Sequence, residues 1–257
     1  MTGVLPIALG DSTKIVQALL HSGKEYVCIM KLHGEAKKER IKELMIEFED
    51  QIYQKPPLRS AVKRQLRTRR IFFIDFIEKD GRNVLFRVGC EAGTYIRKLC
   101  YDIGEILGCG AHMQELRRTR AGPFSENQSS FVSLHEVAYW FSEWKEKKDP
   151  KILRRIIYPM ETALDLTPKI VVRDSTVDAL CHGARLTAPG VLRIDSDIKK
   201  DTLLAIFTLK GEAIALAKSL HSTESILEMD HGSVATLQRV LMPRGKYPRI
   251  WKSGTKK

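Results

Sequence analysis

Between Asn83 and Leu107 the apolar residues change period. Val84, Phe86 and Val88 alternate with their neighbours, the pattern of a strand with one buried face. Ile96, Leu99, Cys100, Ile103, Ile106 and Leu107 then recur three and four apart, the pattern of a helix. Gly93 marks the changeover, so Arg97 stands one turn into a helix that springs from a strand. A guanidinium in that place is anchored near a sheet end, keeps its charge, and offers a planar fork to a carboxylate or a phosphate. The alternative for an isolated arginine is a side chain lying on its own helix surface in water.

The pattern extends in both directions. Residues 71–78 and 82–91 read as two strands joined at Asp80-Gly81, a strong hairpin signal. Gly108 and Gly110 end the helix, and residues 111–120 return as a strand carrying Leu116-Arg117-Arg118-Thr119-Arg120 up to Gly122-Pro123-Phe124. Residues 24–32 also alternate, with Tyr26, Cys28 and Met30 on one face and Val27, Ile29 and Leu32 on the other. Residues 36–50 predict an amphipathic helix with Ile41, Leu44, Met45 and Phe48 inward. Asp11-Ser12-Thr13 is expected to cap a short helix over 14–20. Ser133 and Glu136 predict a capping box for a helix over 134–147, whose Val137, Trp140, Phe141 and Trp144 are expected to pack as an apolar stripe.

Charge narrows the partners. The 257 residues hold 43 Lys and Arg against 31 Asp and Glu, a net charge of +12, which favours nucleic acid first and an acidic membrane surface second. Residues 55–70 carry seven basic side chains and no acid, and Pro56-Pro57 predicts a loop over 53–70 rather than a helix. Such a run is either a solvated surface or a set of phosphate contacts. Five cysteines without a CxxC or Cys/His cluster argue against a zinc site or a disulfide framework. No apolar run approaches the ~18 residues of a membrane span, and no signal-peptide pattern is visible.

From Lys169 the texture changes to short strands and glycine turns. A short strand over 169–174 (KIVVRD), a short helix over 175–181 closed by Gly183, a turn at Pro189-Gly190 and a hairpin about Lys210-Gly211 describe a small β module. Pro168 is the expected boundary between a domain over 1–167 and this module over 168–250, with a basic tail over 251–257. Tyr247 and Trp251 stand among basic residues, a composition suited to RNA backbone and stacking contacts.

The run Gly93-Thr94-Tyr95-Ile96-Arg97, followed by GAHMQELRRTRAGPF, resembles the TruB/dyskerin (Cbf5-like) family of pseudouridine synthases, the tRNA uridine-55 and H/ACA class. The likeness runs from TGVLPIALGDSTK at the start to RVLMPRGKYPRIW near the end, and is nearest to the dyskerin-like branch of archaea and eukaryotes. Without a long Lys/Glu tail it looks archaeal. The resemblance implies an α+β fold: a mixed, mainly antiparallel sheet flanked by helices, then a PUA domain, a small β-barrel that grips RNA. It implies isomerisation of uridine to pseudouridine in tRNA, at guide-directed rRNA sites, or both, with no cofactor and no metal. Carried over residue by residue, Tyr26 of KEYVCIMKLHG stacks on the target base, Arg97 orients the nucleophile and Leu116 packs under the base. Arg59, Lys63 and Arg64 of PPLRSAVKR match a mobile loop that closes on RNA. Tyr95, Arg117, Arg118, Arg120, Lys246 and Trp251 complete the candidate RNA contacts. The implied partners are tRNA or an H/ACA guide RNA with its rRNA target, and proteins resembling Nop10, Gar1 and L7Ae. The implied setting is cytoplasmic, or nucleolar in a eukaryote.

In that family TGVLPIALG follows directly on a glycine-threonine-leucine-aspartate-proline motif bearing the nucleophilic aspartate, which alignment puts three residues upstream of Met1. The expectation is a truncated sequence or a misassigned start that lacks the nucleophile and part of the catalytic sheet. In this form the chain is expected to be inactive and, with an open sheet edge, poorly soluble. The alternative is a non-catalytic RNA-binding scaffold of the same family.

Overall fold

A computed structural model describes residues 1–56, 63–129 and 131–249. Their contacts fall into two units, Met1–Pro6 with Leu20–Tyr158, and Ile7–Leu19 with the chain from Pro159 onward.

The first unit is built on one sheet of β1 (Thr2–Gly3), β2 (Lys24–Leu32), β3 (Asp50–Gln54), β4 (Arg67–Asp80), β5 (Asn83–Cys90), β6 (Ala111–Ala121) and β7 (Phe124–Ser125). The strand order is β1-β6-β2-β5-β4-β3, with β7 also on β6. Only the β1 to β6 pairing is parallel; the rest are antiparallel. A short α1 (Val16–His21) leads into β2, and α2 (Lys38–Glu47) and α3 (Ile96–Ile106) supply the helical side of the core. Cys28, Met30 and Leu32 of β2, Val84, Phe86 and Val88 of β5, Ile41, Leu44 and Met45 of α2, and Leu99, Cys100 and Ile103 of α3 form one buried cluster. The two periods read from the sequence therefore meet in the same core. Burying side chains of this size contributes about 1.5–3 kcal/mol each.

Several expectations need correction. Leu32 is buried with Cys28 and Met30, not on the face opposite, because β2 stays regular and an even spacing keeps one face. The helix over 36–50 is shorter: α2 ends at Glu47, and Asp50, at φ 74°, turns the chain into β3. The expected loop over 53–70 has strand at both ends. Asp50–Gln54 pairs with the start of β4, Gln54 opposite Arg67, because Ile52 and Gln54 alternate into the core. Asp11-Ser12-Thr13 caps no helix over 14–20. Gly10–Ile15 forms a 3-10 helix running on into α1, and Thr13 Oγ1 donates back to Gly10 O at 2.9 Å.

In α4 (Leu134–Lys147) the capping box is present: Glu136 N donates to Ser133 Oγ at 3.2 Å and Ser133 N to Glu136 Oε2 at 2.7 Å. Its aromatic stripe is not core, since no residue of α4 is buried among the described residues. Trp140, Trp144 and Phe141 instead lie under Arg155, Lys148 and Lys145, as cation–π pairs at 4.7–5.5 Å. The short α5 (Pro150–Leu153) follows.

The second unit carries α6 (Asp174–Cys181), α7 (Thr223–Leu227) and a six-stranded sheet. Its strands are β8 (Lys169–Val172), β9 (Leu186–Thr187), β10 (Val191–Ile194), β11 (Leu203–Phe207), β12 (Ala213–Ser219) and β13 (Ser233–Val240), in the order β10-β8-β11-β12-β13-β9. β12 is buried on both faces, which its sequence allows by alternating small Ala213, Ala215 and Ala217 with Ile214 and Leu216. The architecture is the expected mixed α+β fold followed by a β module. Among the described residues no helix is long and apolar enough to cross a membrane.

Candidate active site at the amino end of helix α3

Five residues, 91–95, turn the chain from the end of β5 into α3. Glu91 ties this turn to β4: its N–H donates to Arg70 O at 2.8 Å and its Oε2 accepts from Arg70 N at 3.1 Å. Thr94 Oγ1 closes the turn on Glu91 O at 2.7 Å. Gly93 has φ +82°, a backbone conformation that calls for glycine, and a Cβ there would stand 3.3 Å from Arg69 Nε and Nη2. Tyr95 caps α3 in extended conformation without a side-chain bond of its own. Arg97, the second helical residue, is exposed and forms no ion pair among the described residues.

Beside this helix end lies a cavity of about 550 Å³, lined by Tyr95 from the turn, Arg97 from α3, Tyr26 from β2, Leu116 and Arg118 from β6, and by Thr2 and Gly3. Strand register brings the sheet residues together. Tyr26 pairs with Arg118, Cys28 with Leu116 and Met30 with Met113, with one extra β6 residue at Thr119 and another at Gln114. These bulges put Met113, Leu116 and Arg118 over one face despite their uneven spacing. Arg118 is held by Nε donating to Val4 O at 2.7 Å, and Val4 N donates to Arg118 O at 2.8 Å. Gly3 allows that approach: at φ +103°, it would bring a Cβ to 2.1 Å from Arg118 O.

The cavity is electropositive around an apolar floor. Two guanidinium groups and the positive end of the α3 dipole converge on it, a setting that favours a carboxylate or a phosphate. Burial pushes the Tyr26 phenol above its ordinary range and neighbouring Cys90 adds to this, while Arg118 partly offsets it; the hydroxyl is neutral at physiological pH. Burial also pushes the Cys90 thiol up to about 11. Lys24 is shifted down, by burial first and by the Arg118 charge second. Among the described residues no cluster of three His, Cys, Asp or Glu side chains is arranged to hold a metal ion.

Comparison with known proteins gives the same fold over nearly the whole chain. The N-terminal domain of TruB family pseudouridylate synthases matches residues 1–96, the C-terminal domain of tRNA pseudouridylate synthase B matches 97–165, and the PUA domain matches 168–241. A probable tRNA pseudouridine synthase B of Methanopyrus kandleri is 54% identical over 251 residues, which are 98% of this chain and 74% of that protein. The corresponding protein of Archaeoglobus fulgidus is 52% identical over 255 residues, 99% of this chain and 78% of its own length. The chain belongs to the TruB family of pseudouridylate synthases. Its enzyme class is therefore that of an isomerase of uridine. Among solved structures, a Cbf5-Nop10-Gar1 complex superposes with a TM-score of 0.93 at 48% identity, over 96% of this chain and 75% of that one. An H/ACA ribonucleoprotein bound to a substrate RNA containing 2′-deoxyuridine gives 0.88 at 45% identity, over 97% and 75%.

Within this TruB-family fold, Tyr26, Tyr95, Arg97, Leu116 and Arg118 meet at one cavity, from three segments far apart in sequence. Arg117 and Arg120 do not join them. They pair across the strand with Val27 and Glu25, on the other face from Tyr26, and their guanidinium groups are engaged by Glu126 at 2.7 Å and Glu25 at 3.1 Å. The basic run thus splits: strand alternation separates Arg117 from Arg118, and the extra residue at Thr119 turns Arg120 away as well. Lys63 and Arg64 stand outside the cavity lining. Lys63 O accepts from Arg67 Nη2 at 3.2 Å, and Arg64 Nε donates to Pro56 O at 3.4 Å. Lys246 is exposed in the second unit, beside Tyr247, whose hydroxyl donates to Glu212 Oε2 at 2.6 Å. Arg59 and Trp251 lie outside the described residues. Sequence reasoning missed Gln54, which is buried against Tyr95; continuation of the alternation from Ile52 is the signal that could have found it.

Proposed function

We propose that this chain isomerises uridine to pseudouridine in folded RNA, in tRNA or at guide-directed rRNA positions, and that the cavity at the amino end of α3 is the seat of the reaction. The observation that carries the reading is the convergence of Tyr26, Arg97 and Leu116 on one site. A uridine must leave its helical stack before its glycosidic bond can be exchanged, and the Tyr26 ring offers a face that replaces the lost stacking. Leu116 gives the base an apolar floor. Arg97 and the α3 dipole hold a carboxylate nucleophile ionised beside polyanionic RNA. Thr2 and Gly3 border the cavity, so an aspartate on the segment that precedes Thr-Gly in the family would enter it from that side. The neutral Tyr26 phenol is also suited to proton transfer during the isomerisation.

Residues 1–167 serve as the catalytic domain in this reading, residues 168–250 as an RNA-gripping PUA domain and 251–257 as a basic tail. Arg59, Lys63 and Arg64 contact phosphates, with Lys246 and Trp251 as further contacts. Arg117 and Arg120 contact RNA from the opposite face of the strand, each with its carboxylate partner on Nε. Likeness to the Cbf5-Nop10-Gar1 complex and to the substrate-bound H/ACA particle supports Nop10- and Gar1-like partners and a guide RNA; an L7Ae-like partner and a cytoplasmic setting rest on the family resemblance alone.

The test uses protein purified from its native source and RNA transcripts tritiated at uracil carbon 5, which release tritium to water when that carbon forms the new glycosidic bond. Arg97→Lys is expected to lower turnover by about 10²–10³-fold, as for other lost electrostatic contacts in active sites, with RNA affinity nearly unchanged. Tyr26→Leu should likewise spare binding. Absence of tritium release from the native protein, or equal loss of binding and turnover in Arg97→Lys, would overturn the reading.

A further inference from the structure

Gln54 is the last residue of β3 and is 2% exposed, one of few buried polar side chains in the described chain. Both ends of its amide are used on a single residue: Tyr95 N donates to Oε1 at 2.9 Å, and Nε2 donates to Tyr95 O at 3.2 Å. A side chain here does what a neighbouring strand would do, pairing with donor and acceptor of one backbone residue. Tyr95 is the residue that caps α3, two before Arg97, and its own side chain makes no capping bond. The turn leading to it is fastened to β4 through Glu91 and Arg70, but those bonds stop short of the helix start. A buried glutamine facing both polar groups of a helix cap is not replaceable by packing alone: Tyr95 O would keep the bonds it accepts from Lys98 N and Leu99 N at 3.0 Å, but the Tyr95 N–H would lose the acceptor it has in Gln54 Oε1.

We propose that Gln54 is a positioning residue for the reaction: its amide sets the place and direction of the Tyr95–Arg97 segment, and so of the Arg97 guanidinium over the cavity. The inference rests on the reading of that cavity as the isomerase site. It also gives the sheet edge a mechanical role. β3 is the last strand in the sheet order, and its final residue leads at Lys55 into the basic stretch over 55–70. Gln54 therefore joins the root of that stretch to the residue bearing Tyr95, although the two are 41 positions apart.

Two variants of the native full-length protein separate positioning from simple stability. Gln54→Leu keeps size and removes both bonds. Gln54→Glu keeps the acceptor for Tyr95 N–H and can donate to Tyr95 O only when protonated. Both should bind RNA within about twofold of the parent, and Gln54→Leu should lose turnover by about 10²-fold, the scale expected for an ångström of misplacement. The ratio of Gln54→Glu turnover to that of the parent should rise as pH falls, because protonation restores the donor. That of Gln54→Leu should stay flat. Parental turnover in Gln54→Leu, or a Gln54→Glu profile parallel to the parent, would overturn the proposal. If the parent itself released no tritium, the isomerase reading would fail on its own. Amide hydrogen exchange at Tyr95 would then decide the clamp: protection lost in Gln54→Leu upholds it, and unchanged protection refutes it.

Discussion

Replacing Gly104 by alanine sets two physical effects of opposite sign against each other. Gly104 lies buried within α3, where the strand β6 begins beneath it. Helix propensity alone favours alanine over glycine by about 1 kcal/mol. The added Cβ, however, would stand 2.1 Å from Ala111 N, 2.6 Å from Ala111 Cβ and 2.6 Å from Gly110 C, against an ordinary contact of 3.4–4 Å. The obstacle is strand backbone, not the end of a flexible side chain, so the helix must lift by roughly an ångström or the strand must bend. The Gly110 N–H to Gly104 O bond of 2.9 Å is strained by the same movement. Overpacking costs about 1–3 kcal/mol, more where backbone is the obstacle, so the net loss should be about 2 kcal/mol. At ~2–4 °C per kcal/mol this lowers the melting temperature of the affected unit by about 4–8 °C in calorimetry. Arg97 rides on the other end of the same helix, so turnover should fall as well. An unchanged or raised melting temperature would refute the reasoning, because it would mean that propensity outweighs a contact this short.

Further perturbations test other parts of the fold. Burial raises the Cys90 thiol from 9.0 to about 11, so the folded state holds its proton more tightly than the unfolded chain. The resulting stabilisation, about 2–3 kcal/mol, is present below pH ~9 and is lost as pH rises towards 11; Cys90→Ala should flatten denaturant-derived stability across that window. A thiol reagent at neutral pH should label Cys109 first, since Cys28, Cys90, Cys100 and Cys181 are buried; rapid labelling of Cys100 in native protein would contradict its packing against Cys28. Ser133→Ala should destabilise α4 by about 1 kcal/mol. With no buried residue to hold it among the described ones, that helix should show the loss as faster amide exchange along its first turns, and unchanged exchange would show that the capping box contributes little.

How much of this was legible in the chain depends on the range of the forces involved. Asp80-Gly81 and the switch of period at Gly93 specify β4, β5 and α3 closely, because turn chemistry and one-sided burial act over neighbouring residues. The capping box of α4 is equally local, yet the burial of its aromatic stripe is not, and that expectation failed. The strands at 50–54 and 67–70 were hidden because proline and dense charge suggest a loop, whereas pairing between them satisfies backbone groups that no local pattern reveals. The site divides in the same way. The sequence by itself determined the family, the residue types able to stack on a base and hold an anion, and the position of Arg97 at a helix start. Only the tertiary structure decided which arginines belong together. Bulges at Gln114 and Thr119 turn Arg118 towards Tyr26 and leave Arg117 and Arg120 on the opposite face with carboxylate partners, while pairing of β3 with β4 brings Gln54 from a distant strand onto the cap of α3. Strand register is set by pairing across the sheet, and a single extra residue reverses the face of every side chain beyond it.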